Sequence, residues 1–133
     1  MLAWLDSPLQ WCVALLALWG LIALAGLLRP ASLAFAGRAM FIAGAACGLA
    51  LAVVAIGSVG APAETMVLSI GLPDLPMHLR RDALSSIFLF LLGAAATGIS
   101  LFGAGYFRRG EGTLPGVMCL QYHVFLASMG LVI

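Results

Sequence analysis

The chain contains no lysine and no asparagine, and its charged residues make up only 8% of 133 positions. A soluble domain carries roughly 25% charged residues, so this scarcity excludes an ordinary water-soluble globular fold. Six arginines stand against five acids, for a net charge of +1. No basic run is long enough to grip a phosphate backbone, so nucleic acid is not expected as a partner. The three cysteines, Cys12, Cys47 and Cys119, are an odd number and form no CxxC. That disfavours structural disulfides, zinc sites and iron–sulfur ligation, and they read as small apolar residues. A glycine-rich phosphate loop, a nucleophile elbow and a paired-histidine metal motif are all missing. No catalytic residue, cofactor or metal is therefore expected. Residues Met1 to Gln10 carry Asp6 and no basic side chain. A secretory signal needs a positive leading region, so the first apolar segment reads as a retained helix.

What the chain has in abundance is uncharged length. Ser7 to Leu28, Ala39 to Ala63, Ala83 to Phe107 and Gly112 to Ile133 contain no Asp, Glu, Lys or Arg. About 20 helical residues cross a hydrocarbon core, and each segment reaches that length. The expected architecture is an all-α membrane protein in one transmembrane region, 1–133. Its four transmembrane helices are expected over about 9–28, 39–59, 83–107 and 114–133. Arg29-Pro30 closes the first, because proline opposes helix continuation. Gly60-Ala61-Pro62 closes the second, and Pro115 suits the first turn of the fourth. Between helices 2 and 3 a short outer loop or β-hairpin is expected, with strands near 65–70 and 77–81 around the turn Leu72-Pro-Asp-Leu-Pro76.

Arginine placement sets orientation. Arg29 and Arg38 in the first loop, and Arg108 and Arg109 in the third, put those loops in the cytoplasm and the N-terminus outside. Arg80 and Arg81 in the second loop conflict with this, offset there by Glu64, Asp74 and Asp82. Gly44 and Gly48 share one face of helix 2, and Ala52 extends it. Small residues at that spacing let another helix approach closely. Ala94 and Gly98 repeat the pattern in helix 3. Asp82 is positioned as the N-cap of helix 3. Ser85, Ser86, Thr97 and Ser100 follow along that helix and are read as carbonyl-bonding rather than catalytic. His123, near the middle of helix 4, is the one clearly titratable group in a span. Its ordinary pKa near 6.5 suits proton exchange. The reading as a neutral, hydrogen-bonded packing histidine weighs more, because a proton relay would rest on this one residue.

The stretch Gly71-Leu-Pro-Asp-Leu-Pro-Met-His-Leu-Arg-Arg-Asp-Ala-Leu-Ser-Ser-Ile-Phe88 resembles the approach to the third helix of antiporter-like membrane subunits. Ser100-Leu-Phe-Gly-Ala-Gly-Tyr106 is similar to the end of that helix, and Phe125-Leu-Ala-Ser-Met-Gly-Leu-Val132 to the fourth. The family includes proton-pumping subunits of respiratory complex I, large Mrp antiporter subunits, and membrane subunits of hydrogenase-4 and formate hydrogenlyase. The Leu-Pro-rich approach to Asp82 is most similar to the hydrogenase-4 component B branch. Asp82-Ala-Leu-Ser85 matches the family's Asp-small-Leu-Ser pattern, while Arg81 stands where an apolar residue is more usual. These are helix-boundary residues. The glutamate and lysine that carry protons in the family lie on later helices and have no counterpart here.

The resemblance implies the N-terminal portion of a longer subunit that translocates protons or sodium ions in a hydrogenase-4, formate hydrogenlyase or complex I-like oxidoreductase. The chain would supply structural helices, with His123 as the one candidate for a proton path. Implied partners are the lipid bilayer and other membrane subunits of a hydrogenase or NADH dehydrogenase-like complex. The implied location is a bacterial inner membrane with the N-terminus periplasmic. An arginine-only, Ala/Gly/Leu-rich composition fits a GC-rich bacterial genome, and the end of the chain within an apolar helix reads as a fragment or split gene. Two alternatives stand beside this reading. One is a non-catalytic membrane scaffold or assembly protein. The other is a small four-helix multidrug-type transporter, which the lack of a glutamate in helix 1 disfavours.

Overall fold

Helix α1, Pro8–Gly26, begins where Ser7 places its hydroxyl to accept from the Gln10 N–H and Pro8 occupies the first turn. Both devices suit a helix start, because the first backbone N–H groups have no partner within the helix. The structure, a computed structural model, describes residues 7–72, 75–106 and 113–133, without the side chains of 69–72 and 75. Asp74, Arg108 and Arg109, on which part of the orientation argument rests, lie outside the described residues, as does Asp6.

The second helical segment starts earlier than the charge pattern predicts. A π-helical stretch, Leu33–Ala39, runs without a break into α2, Met40–Gly57. Ser32 caps it, its hydroxyl accepting from the Phe35 N–H. The segment Leu33–Gly57 is thus 25 residues long, and Arg38 lies within its first turns, exposed. A long arginine near a helix end can lay its stem along apolar surface and keep its head at the interface, so a charge there does not end the helix.

Strand β1, Glu64–Leu72, and strand β2, Leu75–Arg81, pair antiparallel as the predicted hairpin. Glu64 lies opposite Arg81 and Val67 opposite His78, with an irregularity between Leu68 and Gly71. Helix α3, Ala83–Tyr106, and helix α4, Pro115–Val132, complete the chain. All four helical segments are long and apolar enough to cross a membrane.

Packing departs from chain order at α4. Helix α3 lies along α2, α2 along α1, and α1 along α4, while α3 and α4 meet only lightly. The buried face of α1 reads Leu9, Cys12, Leu16, Trp19, Ile22 and Ala23, the three- and four-residue spacing of one helix side. The outward faces are just as apolar: Leu21, Leu24, Leu28, Val53, Leu84 and Phe102 are each more than half exposed. Apolar surface of that extent would drive a water-soluble chain to aggregate. It is the expected dress of helices solvated by acyl chains. The chain is a four-helix membrane protein.

Gly48 and Gly93 explain the tight α2–α3 seam. A Cβ on Gly48 would lie 2.9 Å from the Gly93 carbonyl oxygen, and one on Gly93 would lie 2.6 Å from the Gly48 oxygen and 2.8 Å from the Ala52 nitrogen. These are backbone atoms, which cannot move aside. Thr97 strengthens the seam, its hydroxyl 3.3 Å from the Ala45 oxygen and 2.8 Å from the Gly93 oxygen. Gly98, one residue on, has nothing within 4 Å of where its Cβ would be. The close approach in α3 therefore uses Gly93 and Thr97, and the predicted run Ala94 and Gly98 faces outward.

Candidate functional site

Two polar centres are buried in the bundle. The first surrounds His123, which is 0% exposed. Its Nδ1 lies 2.9 Å from the Cys119 carbonyl oxygen, one turn back in α4. A carbonyl only accepts, so Nδ1 carries the hydrogen, and in the neutral ring Nε2 is a bare acceptor. Nε2 is buried without a hydrogen-bond partner. It points at α2, where a Cβ on Gly44 would collide with it. The reason for glycine at 44 is thus the imidazole of α4, whereas the reason at 48 is the backbone of α3.

Aromatic rings fix the imidazole from the sides. Phe41 meets it edge-on at 5.4 Å and Tyr122 at 5.0 Å, while Phe41 and Tyr122 stack on each other at 5.4 Å. Trp19 of α1, fully buried, donates its Nε1–H to the Gly44 carbonyl at 3.1 Å. The Tyr122 hydroxyl reaches α3, 3.0 Å from Ser100 Oγ and 3.2 Å from the Ala96 oxygen. His123, Trp19 and Tyr122 thereby tie α4 to α2, α1 to α2, and α4 to α3. A proton relay requires a second exchanging group at hydrogen-bond reach of the ring. Here Nδ1 is held by the Cys119 carbonyl, with the Cys119 thiol 3.5 Å away on the same helix turn, and Nε2 has no partner, so no chain of exchanging groups leads across the ring.

The second centre lies at the end of the bundle where α2 stops and α3 starts. Arg81 is only 1% exposed. Its Nη2 lies 3.4 Å from Glu64 Oε2. Its Nη1 donates to the Ser58 carbonyl at 3.0 Å and to Ser86 Oγ at 2.9 Å, and Nη2 also reaches the Pro62 carbonyl at 3.4 Å. The same Glu64 oxygen accepts the Leu9 backbone N–H at 2.9 Å. Leu9 is in the first turn of α1, where a carboxylate is favoured by the unpaired N–H groups and the helix dipole. One ion pair therefore fastens the hairpin to α1, to the end of α2 and to the start of α3.

Sequence reasoning missed this centre, taking Arg81 as a topogenic cation. Counting outward from Leu72 and Leu75 would set Met66 opposite Arg81; the irregularity between Leu68 and Gly71 shifts the register and brings Glu64 there instead, one residue before the α3 cap, so the sequence carried no direct signal for the pair. Arg81 is neutralised by Glu64, so of the two cations that conflicted with an outer second loop only Arg80 stays exposed.

Asp82 caps α3. The Ser85 N–H donates to Asp82 Oδ1 at 2.9 Å, and the Ser85 hydroxyl reaches the Ile133 carbonyl at 3.0 Å. The hydrogen bond from the Ser85 backbone holds the Asp82 carboxyl below the usual carboxylate range. Slight desolvation works against this, and the Ser85 hydroxyl, the Leu84 N–H and the Arg80 charge add to it. A depressed carboxylate stabilises the fold fully above its unfolded pKa and loses that contribution as pH falls through the lower folded value. Protection of the first-turn amides of α3 against hydrogen exchange, corrected for intrinsic rate, is expected to stay flat from pH 7 to 5. It should fall only below about 4. Asp82→Ala should lower protection at neutral pH and remove that acid step. A step unchanged in the variant would rule out Asp82 as its source.

Cys12, Cys47 and Cys119 are all buried with free thiols. Cys47 Sγ lies 3.2 Å from the Leu15 oxygen. Among the described residues no three of His, Cys, Asp and Glu gather where they could hold a metal ion. Comparison with protein-family models, with curated proteins and with solved structures finds no match.

Proposed function

We propose that the chain is the supporting, N-terminal part of a proton- or sodium-translocating membrane subunit in a hydrogenase-4, formate hydrogenlyase or complex I-like oxidoreductase. The observation that carries this reading is how the buried polar side chains are used. Trp19, Thr97, Ser100, Tyr122 and Arg81 each bond across an element boundary. None of the described spans contains an acid, and their one arginine, Arg38, is exposed at a helix end. Ionisable groups at membrane depth are costly and are kept where an ion path needs them. A bundle that holds a single imidazole there is built to brace such a path. His123, with its open Nε2, is the one group through which these helices would touch it.

The proposed setting is a bacterial inner membrane with the N-terminus and the hairpin on the periplasmic side. Arg29 and Arg38, both exposed at the opposite end of the bundle, support that orientation. The test is extraction of the affinity-tagged chain from its native membrane in mild detergent, followed by native electrophoresis and mass spectrometry. Co-migration with iron–sulfur and other multi-pass subunits of a redox complex is the expected result. Migration alone or with unrelated membrane proteins would replace this reading with the scaffold or assembly role, which the same bonding between helices also favours.

A further inference from the structure

The light contact between α3 and α4 leaves a lateral cleft of about 240 Å³. Phe41 and Tyr122 stack to form its inner wall, and Phe102 and Tyr106 stack at 5.2 Å along its rim. Ile99 and Met118 complete the lining. Ile99, Phe102 and Tyr106 are each more than half exposed, so the cleft opens sideways, where acyl chains solvate the bundle. Its volume is below the roughly 300–1,000 Å³ of sites that enclose a drug-sized molecule. A single turn of a helix about 10 Å across would also fill more space than this. A slender apolar chain fits.

The π-helical stretch Leu33–Ala39 touches both α3 and α4, and so sits at the end of this cleft. Arg38 is three residues before Phe41 on the same continuous helix, about 4.5 Å nearer its end. Its side chain is exposed, and among the described residues neither Arg38 nor Arg29 has an ion-pair partner. Arg29 instead lies over the Phe35 ring at 5.9 Å. An exposed guanidinium one helical turn from Phe41, at the π-helical end of an aromatic-walled apolar cleft, matches a molecule with a phosphate head and a hydrocarbon tail. We propose that the cleft between α3 and α4 holds one acyl chain of an anionic glycerophospholipid whose phosphate pairs with Arg38.

The test uses the full chain in detergent micelles carrying equimolar phosphatidylglycerol and phosphatidylcholine with identical acyl chains. Native mass spectrometry reads the lipid retained. The wild-type chain is expected to keep one phosphatidylglycerol with about 5-fold preference over phosphatidylcholine. Arg38→Gln should bring that ratio close to one, and Arg38→Lys should retain most of it. Ile99→Trp, which fills the cleft from an exposed position, should lower retention of both lipids several-fold, with helicity checked by circular dichroism. The proposal fails if the wild-type chain, which needs no variant to fold, retains no lipid or retains both equally. It fails too if Arg38→Gln keeps the preference, or if Ile99→Trp leaves retention unchanged. Displacement of the lipid by a second copy of the chain would make the cleft a protein interface instead.

Discussion

Arg81→Ala is expected to destabilise the bundle by about 3–5 kcal/mol, the range for removing one partner of a buried ion pair. The wild-type guanidinium is almost inaccessible to solvent and bridges Glu64, Ser58, Ser86 and Pro62. Truncation would leave the Glu64 carboxylate, whose side chain is 22% exposed, with the Leu9 N–H as its remaining partner. Glu64→Gln should cost less. The amide oxygen can still accept from Leu9, and Arg81 keeps three neutral acceptors. The double variant Arg81→Met/Glu64→Gln should recover part of the loss, because no unpaired charge is then buried. The measurement is reversible unfolding in mixed micelles, arranged as a double-mutant cycle so that the coupling is isolated from the singles. Strictly additive losses would mean that Arg81 and Glu64 act separately and that the hairpin is not latched by their pairing.

Gly93→Leu should cost about 3 kcal/mol, the upper end of the usual overpacking penalty. No rotamer of the new side chain avoids the Gly48 oxygen and the Ala52 nitrogen, because the Cβ itself is already too close. The two helices must separate. That breaks the Thr97 bond to the Ala45 oxygen and uncovers the α2 face around Ala52. Gly98→Leu is the matched control, five residues on in the same helix with open space at its Cβ. It should change stability by no more than about 0.5 kcal/mol, as for surface sites generally. Equal losses at 93 and 98 would show that the penalty comes from changing any glycine in α3 rather than from this seam.

Membrane character and helix number were legible because they follow from a single quantity, the distance between charges. The hairpin was legible from its turn, with two prolines and an aspartate between short apolar runs. The α3 cap was legible from Asp82, whose bond to Ser85 is local. Three features were hidden, each for a physical reason. Helix 2 begins at Leu33 rather than at residue 39, because a flexible arginine at a helix end is tolerated and the π-turn that carries it has no sequence signature of its own. The two glycines of helix 2 share a face, but only the three-dimensional arrangement shows that Gly44 serves His123 and Gly48 serves Gly93. Arg81 read as surplus charge because its partner is 17 positions away and is brought near only by the hairpin register. For His123, sequence left two readings standing. The structure adds that Nδ1 is tied to Cys119 and that Nε2 is buried beside Gly44 without a partner.

At the centre of this account is the claim that the buried polar groups hold helices together and do not, on their own, move ions. Proton flux into liposomes containing only the purified chain tests it most directly, with an imposed potassium diffusion potential and an internal pH-sensitive dye. Flux equal to that of protein-free liposomes, for the wild-type chain and His123→Ala alike, is the predicted result. Potential-driven acidification that scales with protein and disappears in His123→Ala would contradict it and make the imidazole a working proton carrier.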